Sequence, residues 1–95
     1  MIRKTIHFTG DVQGVGFRYA TTRIARRFDV AGYVQNLPDG KVEVVAEGES
    51  DEIERFIGAV RDRLRRHIVE ETAADTGATG TFGQPTDPDT FVVRY

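Results

Sequence analysis

Gly10-Asp11-Val12-Gln13-Gly14-Val15-Gly16-Phe17-Arg18 sets three glycines and an arginine within one short stretch. The chemistry this spacing offers is anion binding. Glycine admits positive φ and close backbone approach, so consecutive N–H groups can curl around the oxygens of a phosphate as a nest. Arg18 adds a planar, permanently charged fork that can grip two oxygens at once. The stretch is not a Walker loop, because no Gly-Lys-Ser/Thr follows. It is not a dinucleotide fingerprint either, because the element after the next helix reads as a hairpin strand rather than a parallel crossover. On its own the loop fits a tight turn beside a solvated charge as well as it fits a cradle.

Little else in the chain is equipped for catalysis. Cysteine is absent, which excludes a disulfide framework, a thiolate metal site and a cysteine nucleophile. The two histidines, His7 and His67, belong to different elements, and no His-rich or Asp-x-Asp cluster suggests a metal. His7 falls on the outward face of the first strand and reads as solvated. Arg23, Arg26 and Arg27 read as the solvated face of the first helix. The net charge of −2 divides unevenly, with seven Lys/Arg against five Asp/Glu in residues 1–48 and six against ten in residues 49–95. An anion site is therefore expected in the first half.

The elements that must position these residues follow from periodicity. Ile2, Ile6 and Phe8 alternate with polar neighbours and predict a strand over residues 2–9, broken only by Lys4. Phe17, Ala20, Ile24 and Phe28 recur at helical spacing and predict a first helix to about Asp29. Gly32 opens a strand through Leu37, Pro38-Asp39-Gly40 turns it, and residues 41–47 return as a second strand with Val42, Val44 and Ala46 on one face. Ser50 is the expected N-cap of a second helix, whose acidic first turn and arginine-rich end suit its dipole. Ile53, Phe56, Ile57, Val60 and Leu64 supply its buried stripe. Residues 68–72 offer a further strand, residues 73–89 read as a long mobile loop pinned only by Phe82, and residues 90–95 alternate again. This order predicts an α+β, ferredoxin-like two-layer sandwich: βαββαβ with an optional extra C-terminal strand, two helices on one face of a mainly antiparallel sheet. Residues 1–95 suffice for a single domain. No apolar run approaches a membrane span, so a cytoplasmic protein without membrane partners is expected.

The loop becomes specific when taken with Gly32-Tyr33-Val34-Gln35-Asn36-Leu37-Pro38-Asp39-Gly40-Lys41-Val42 and the later Gly48. Together they resemble the acylphosphatase family, whose members pair Gly-x-Val-Gln-Gly-Val-x-Phe-Arg with Gly-aromatic-Val-x-Asn-x-x-x-Gly-x-Val. The resemblance covers residues 2–66, and Phe91-Val92-Val93-Arg94-Tyr95 is similar to the family's last strand. It implies metal-independent hydrolysis of the carboxyl–phosphate bond of acyl phosphates, with no cofactor. It also implies that Arg18 binds the phosphoryl group, that the backbone of Gln13, Gly14, Val15, Gly16 and Phe17 cradles its oxygens, and that Asn36 positions the attacking water. Asp11 departs from the pattern, standing where a basic residue is frequent. The expected partners are a small acyl phosphate and inorganic phosphate, with no nucleic acid, and the expected state is a monomer. A non-catalytic phosphate-binding regulatory module would share the same site. An RNA-binding module would need a basic face and paired aromatics, and the slightly acidic chain lacks the matching motif.

Overall fold

A computed structural model describes residues 1–95. The elements run β1 (Ile2–Gly10), α1 (Phe17–Ala25), β2 (Ala31–Asn36), β3 (Val42–Gly48), α2 (Ser50–Leu64), β4 (Ile68–Gly77) and β5 (Phe91–Arg94). The sheet order is β4-β1-β3-β2-β5, antiparallel throughout except for the parallel pair β2 and β5. Both helices cover one face. This is the expected ferredoxin-like plan with the extra C-terminal strand added beside β2.

Alternation explains how the core assembles. Ile6 and Phe8 on β1 lie opposite Val44 and Val42 on β3, and all four are fully buried beneath Phe17 and Ile24 of α1 and the apolar stripe of α2. Lys4 interrupts the apolar face of β1 without penalty because its ammonium reaches the rim of the sheet, 2.9 Å from both Asp75 of β4 and Glu54 of α2. Hydrogen bonds to Asp75 and Glu54 raise its pKa and keep it charged. No helix is long and apolar enough to cross a membrane.

Several boundaries differ from expectation for local reasons. α1 stops at Ala25 rather than near Asp29, because Arg27 and Phe28 donate to Ile24 and Ala25 in a tightened last turn. That turn rolls Phe28 onto Phe56, with ring centroids 6.1 Å apart. Ser50 is the first helical residue of α2 and not its cap. Glu49 occupies the cap position in extended conformation with no side-chain cap bond. Glu52 in the first turn instead accepts the Asp29 N–H at 2.8 Å, tying the start of α2 to the α1–β2 connection.

The larger correction concerns residues 73–89. β4 runs five residues beyond Thr72, pairing with β1 down to Ile2 opposite Gly77. Backbone pairing to an open sheet edge needs no apolar face, and residues 72–77 are exposed, so the strand carries no periodicity to read. Its Glu70, Glu71 and Asp75 suit an edge that must resist pairing with other chains. The segment beyond it is also tethered by more than Phe82. Glu47 of β3 accepts from Arg3 Nε at 2.8 Å, from the Thr79 N–H at 2.9 Å and hydroxyl at 2.7 Å, and from the Gly80 N–H at 2.9 Å. Phe82 packs edge-on against Tyr33 at 5.7 Å and lies beneath Arg3 at 4.9 Å.

Burial of the Glu47 side chain, which is 3% exposed, opposes its charge, yet the bonds from Thr79, Arg3 and Gly80 outweigh that cost and lower its pKa to about 2. The folded value lies below the unfolded one, so the unfolded state binds more protons between them. The carboxylate's contribution is present above the unfolded pKa and is lost as pH falls through the folded value. Glu47→Ala is expected to destabilise the fold by about 2 to 3 kcal/mol at pH 7. The difference from the unaltered protein should shrink progressively toward pH 2 in urea titrations.

Candidate active site

The strand-to-helix junction between β1 and α1 is held from beneath by apolar residues. Val12 is fully buried, Val15 packs against the core margin, and Phe17 stacks at 5.2 Å on Phe8. Between these anchors the backbone is turned outward. Gly14 and Gly16 have φ of 78° and 79°, and a Cβ added to either would meet nothing within 4 Å. The glycines are therefore needed for conformation and not for clearance, and the loop faces open space.

The amides of residues 13–16 donate to no backbone carbonyl. α1 begins on Gly16, which has no side chain to cap the helix, and its first turn contains no acid. The N–H groups that a helix start leaves without partners are thus added to those of the loop. Gln13 turns its side chain away from this concavity, and its Nε2 donates to the Leu37 carbonyl at 2.8 Å and the Lys41 carbonyl at 2.9 Å. It thereby fastens the loop to the hairpin that follows Asn36.

Arg18, in the first turn of α1, and Asn36, at the end of β2, line one cleft of about 510 Å³ with Val12, Gly14, Gly16 and Phe17. Arg18 is half-buried and enters no ion pair, and the Asn36 carboxamide is half-buried with no hydrogen-bond partner in the protein. Tyr95, just past β5, places its ring 5.0 Å from the Arg18 guanidinium carbon. At 94% exposure that ring flanks the arginine without covering it. No acidic residue lines the cleft.

Five of the seven residues expected at the site line the cleft, and the other two do not. Gly14, Gly16, Phe17, Arg18 and Asn36 meet in the cleft. Gln13 and Val15 contribute backbone to the loop while their side chains anchor it. Asp11 is exposed and forms no ion pair, leaving the cleft walls to the bases. The sequence reading assigned Arg23 and Arg26 to a solvated face, whereas both line the cleft together with Thr22. Their spacing from Arg18 along one helix was the signal available for finding them. Tyr95 gave none, since only the parallel docking of β5 on β2 brings it to Arg18.

A family model described as Acylphosphatase matches residues 4–84. The chain is 51% identical over 61 residues to an acylphosphatase of Archaeoglobus fulgidus, covering 64% of this chain and 68% of that protein. It is 48% identical over 73 residues to an acylphosphatase of Salinibacter ruber, covering 77% of each. Among solved structures it is similar to the acylphosphatase from Bacillus subtilis, with a TM-score of 0.82 at 28% identity and full coverage of both chains.

Gln13→Ala is expected to cost about 1 kcal/mol of stability, because each carbonyl it leaves still accepts one backbone N–H. The same change should weaken inorganic phosphate binding severalfold by freeing the loop from the hairpin. Urea titration and calorimetry read the two effects separately.

Proposed function

The chain belongs to the acylphosphatase family, and from this we infer that its reaction, hydrolysis of the carboxyl–phosphate bond of an acyl phosphate, takes place where Arg18 and Asn36 share a cleft. One observation carries this reading. A guanidinium without a partner carboxylate and a carboxamide without a hydrogen-bond partner face the same volume, beside backbone amides that have no acceptor.

In the proposed reaction the phosphoryl oxygens rest against the N–H groups of residues 13–17 and the Arg18 fork. Phosphoryl transfer proceeds through a loose transition state that asks mainly for charge stabilisation and an aligned nucleophile. The Asn36 carbonyl oxygen accepts from a water and holds it in line with the scissile bond. The water oxygen bonds to phosphorus as the phosphorus–oxygen bond to the acyl group breaks, and the electron pair departs with the carboxylate. One water proton passes to a phosphate oxygen, so the acyl phosphate dianion and water become a carboxylate and dihydrogen phosphate. A carboxylate leaves readily, and no general acid is needed.

We read the mechanism as metal-independent and the ligand as a small molecule. The positive potential required is supplied by Arg18 and the amides, and the chain brings together no group of three or more His, Asp or Glu that could hold a metal ion. On the far side of the sheet the polar groups engage one another, His7 with Glu43 at 2.8 Å and the Tyr33 hydroxyl with the same carboxylate at 2.8 Å. That pairing gives a nucleic acid little to bind.

Arg18→Ala is expected to lower kcat/KM on an acyl phosphate by at least about a hundredfold and to weaken phosphate inhibition. Lysine should rescue poorly, since a point charge lacks the planar fork. Phosphate-release assays with and without a chelator test both the arginine's role and the metal-free reading. Near-normal turnover of the alanine variant, or loss of the native rate to the chelator, would overturn the corresponding assignment. Asn36→Ala should lower kcat by about a hundredfold while leaving the Kd for phosphate within about twofold, because aligning a water matters chiefly in the transition state. A fall in phosphate affinity as large as the fall in kcat would remove Asn36 from that role.

A further inference from the structure

We propose that Arg23 and Arg26 form a second anion subsite for the acyl portion of the substrate, so that the enzyme favours acyl phosphates carrying a distal anionic group. The inference rests on the reaction assigned above and extends it to substrate class.

Arg23 and Arg26 lie in the wall of the cleft that holds Arg18 and Asn36. A solvated helix face explains Arg27, which does not line that cleft, but it does not explain why its two neighbours do. Neither Arg23 nor Arg26 is ion-paired, and no Asp or Glu side chain lines the cleft, in a chain with 15 acidic residues against 13 basic ones. Tyr19 orients the first of them. Arg23 Nη1 reaches the Tyr19 hydroxyl at 3.4 Å, and the guanidinium carbon lies 5.6 Å from the ring centroid. The positive wall continues past Tyr19 into a second groove that shares Gly16, Arg23 and Arg26 and adds Arg27, Arg63 and His67, again with no acid.

Geometry sets the size of substrate that could use this wall. In-line attack by a water at Asn36 sends the leaving carboxylate to the side of phosphorus opposite Asn36, into the rest of the cleft that Arg23 and Arg26 line. Along α1, Arg26 stands about 12 Å from Arg18 at 1.5 Å rise per residue, with Arg23 between them. A four-carbon diacid monophosphate places its distal carboxylate roughly 6 Å from phosphorus, given bonds near 1.5 Å. Flexible arginine side chains close the remaining span. A distal carboxylate or phosphate would meet two unpaired guanidinium groups there, whereas a plain alkyl end would meet only the stem atoms and Thr22.

Succinyl phosphate and butyryl phosphate have the same carbon count and differ in the distal carboxylate, so their comparison isolates the subsite. The protein should show kcat/KM higher for succinyl phosphate by about five- to tenfold, as expected of two partly exposed ion pairs. The Arg23→Gln, Arg26→Gln double variant should reduce that ratio to near unity, while Arg27→Gln should leave it unchanged. A ratio near unity in the unaltered protein, or a ratio that survives the double variant, overturns the subsite. Calorimetric binding of 5-phosphonopentanoate, whose carboxylate lies as many bonds from phosphorus as that of succinyl phosphate, against pentylphosphonate tests it without turnover, with the carboxylate-bearing compound expected to bind about fivefold tighter only while Arg23 and Arg26 are present. Failure to hydrolyse either acyl phosphate would count against the assigned reaction, and the phosphonate titration would still support or overturn the subsite. Equal phosphonate affinities would overturn the subsite whatever the hydrolysis assays show.

Discussion

The two hydrogen bonds from Gln13 to the carbonyls of Leu37 and Lys41 hold the site together. A loop that directs its amides at a ligand must leave them unpaired within the protein, so it cannot be stabilised by its own backbone as a helix or strand is. Stability has to come from side chains. Val12 and Val15 supply it from beneath, and Gln13 supplies it sideways, across to the hairpin that carries Asn36. The same bond pair that steadies the cradle therefore sets its position relative to the residue proposed to align the water. The two sequence motifs, separated by α1, are coupled through this one side chain.

The sheet makes that coupling possible at low cost. β2 and β3 join through a short turn closed by the Leu37 N–H to the Lys41 carbonyl at 2.8 Å, and the Lys41 N–H donates to the Asp39 carboxylate. The turn is therefore rigid before Gln13 binds it. At the other end of β3, Glu47 performs a comparable task for a different segment, gathering Arg3, Thr79 and Gly80 around one carboxylate. The chain thus fixes its two irregular stretches by reaching from ordered strands with single polar side chains. Glu47 is a buried carboxylate with four donors and Gln13 a half-buried amide whose Nε2 finds two acceptors, the kind of pairing under which such groups stabilise rather than cost.

What the sequence disclosed follows the same division. The amphipathic elements were legible because burial imposes a period on them: β3 and α2 bury the residues their patterns name, and β1 buries Ile6 and Phe8. The glycine loop and Asn36 could be singled out because their two motifs together resemble one family, which implies the roles proposed for them. The second half of β4 was not, because an edge strand exposed along residues 72–77 needs only its backbone. Nor was the tether on Glu47 visible, since an acid on the outer face of a strand is ordinarily solvated and only the return of residues 79–80 buries it. Arg23 and Arg26 fell between these cases. Helical spacing put them on the outer face of α1, and the wall they join depends on how β2 and β5 pack beneath that helix.

Charge is distributed to match. Three of the five arginines of α2 and its end engage acids, Arg61 with Glu71, Arg65 with Asp62 and Arg55 with Glu52, whereas none of Arg18, Arg23, Arg26 and Arg27 does. Exposed ion pairs add little stability, so pairing on α2 is a weak structural device, and its absence along α1 costs correspondingly little. Four unpaired cations along a single helix and the turn that ends it nevertheless repel one another. Three of them, Arg18, Arg23 and Arg26, line the cleft, whose wall holds no Asp or Glu side chain to oppose them. A net charge of −2 would by itself repel an anionic substrate at long range. Placing ten of the 15 acids in residues 49–95, and none in the cleft wall, lets the protein remain acidic overall while the approach to Arg18 stays positive.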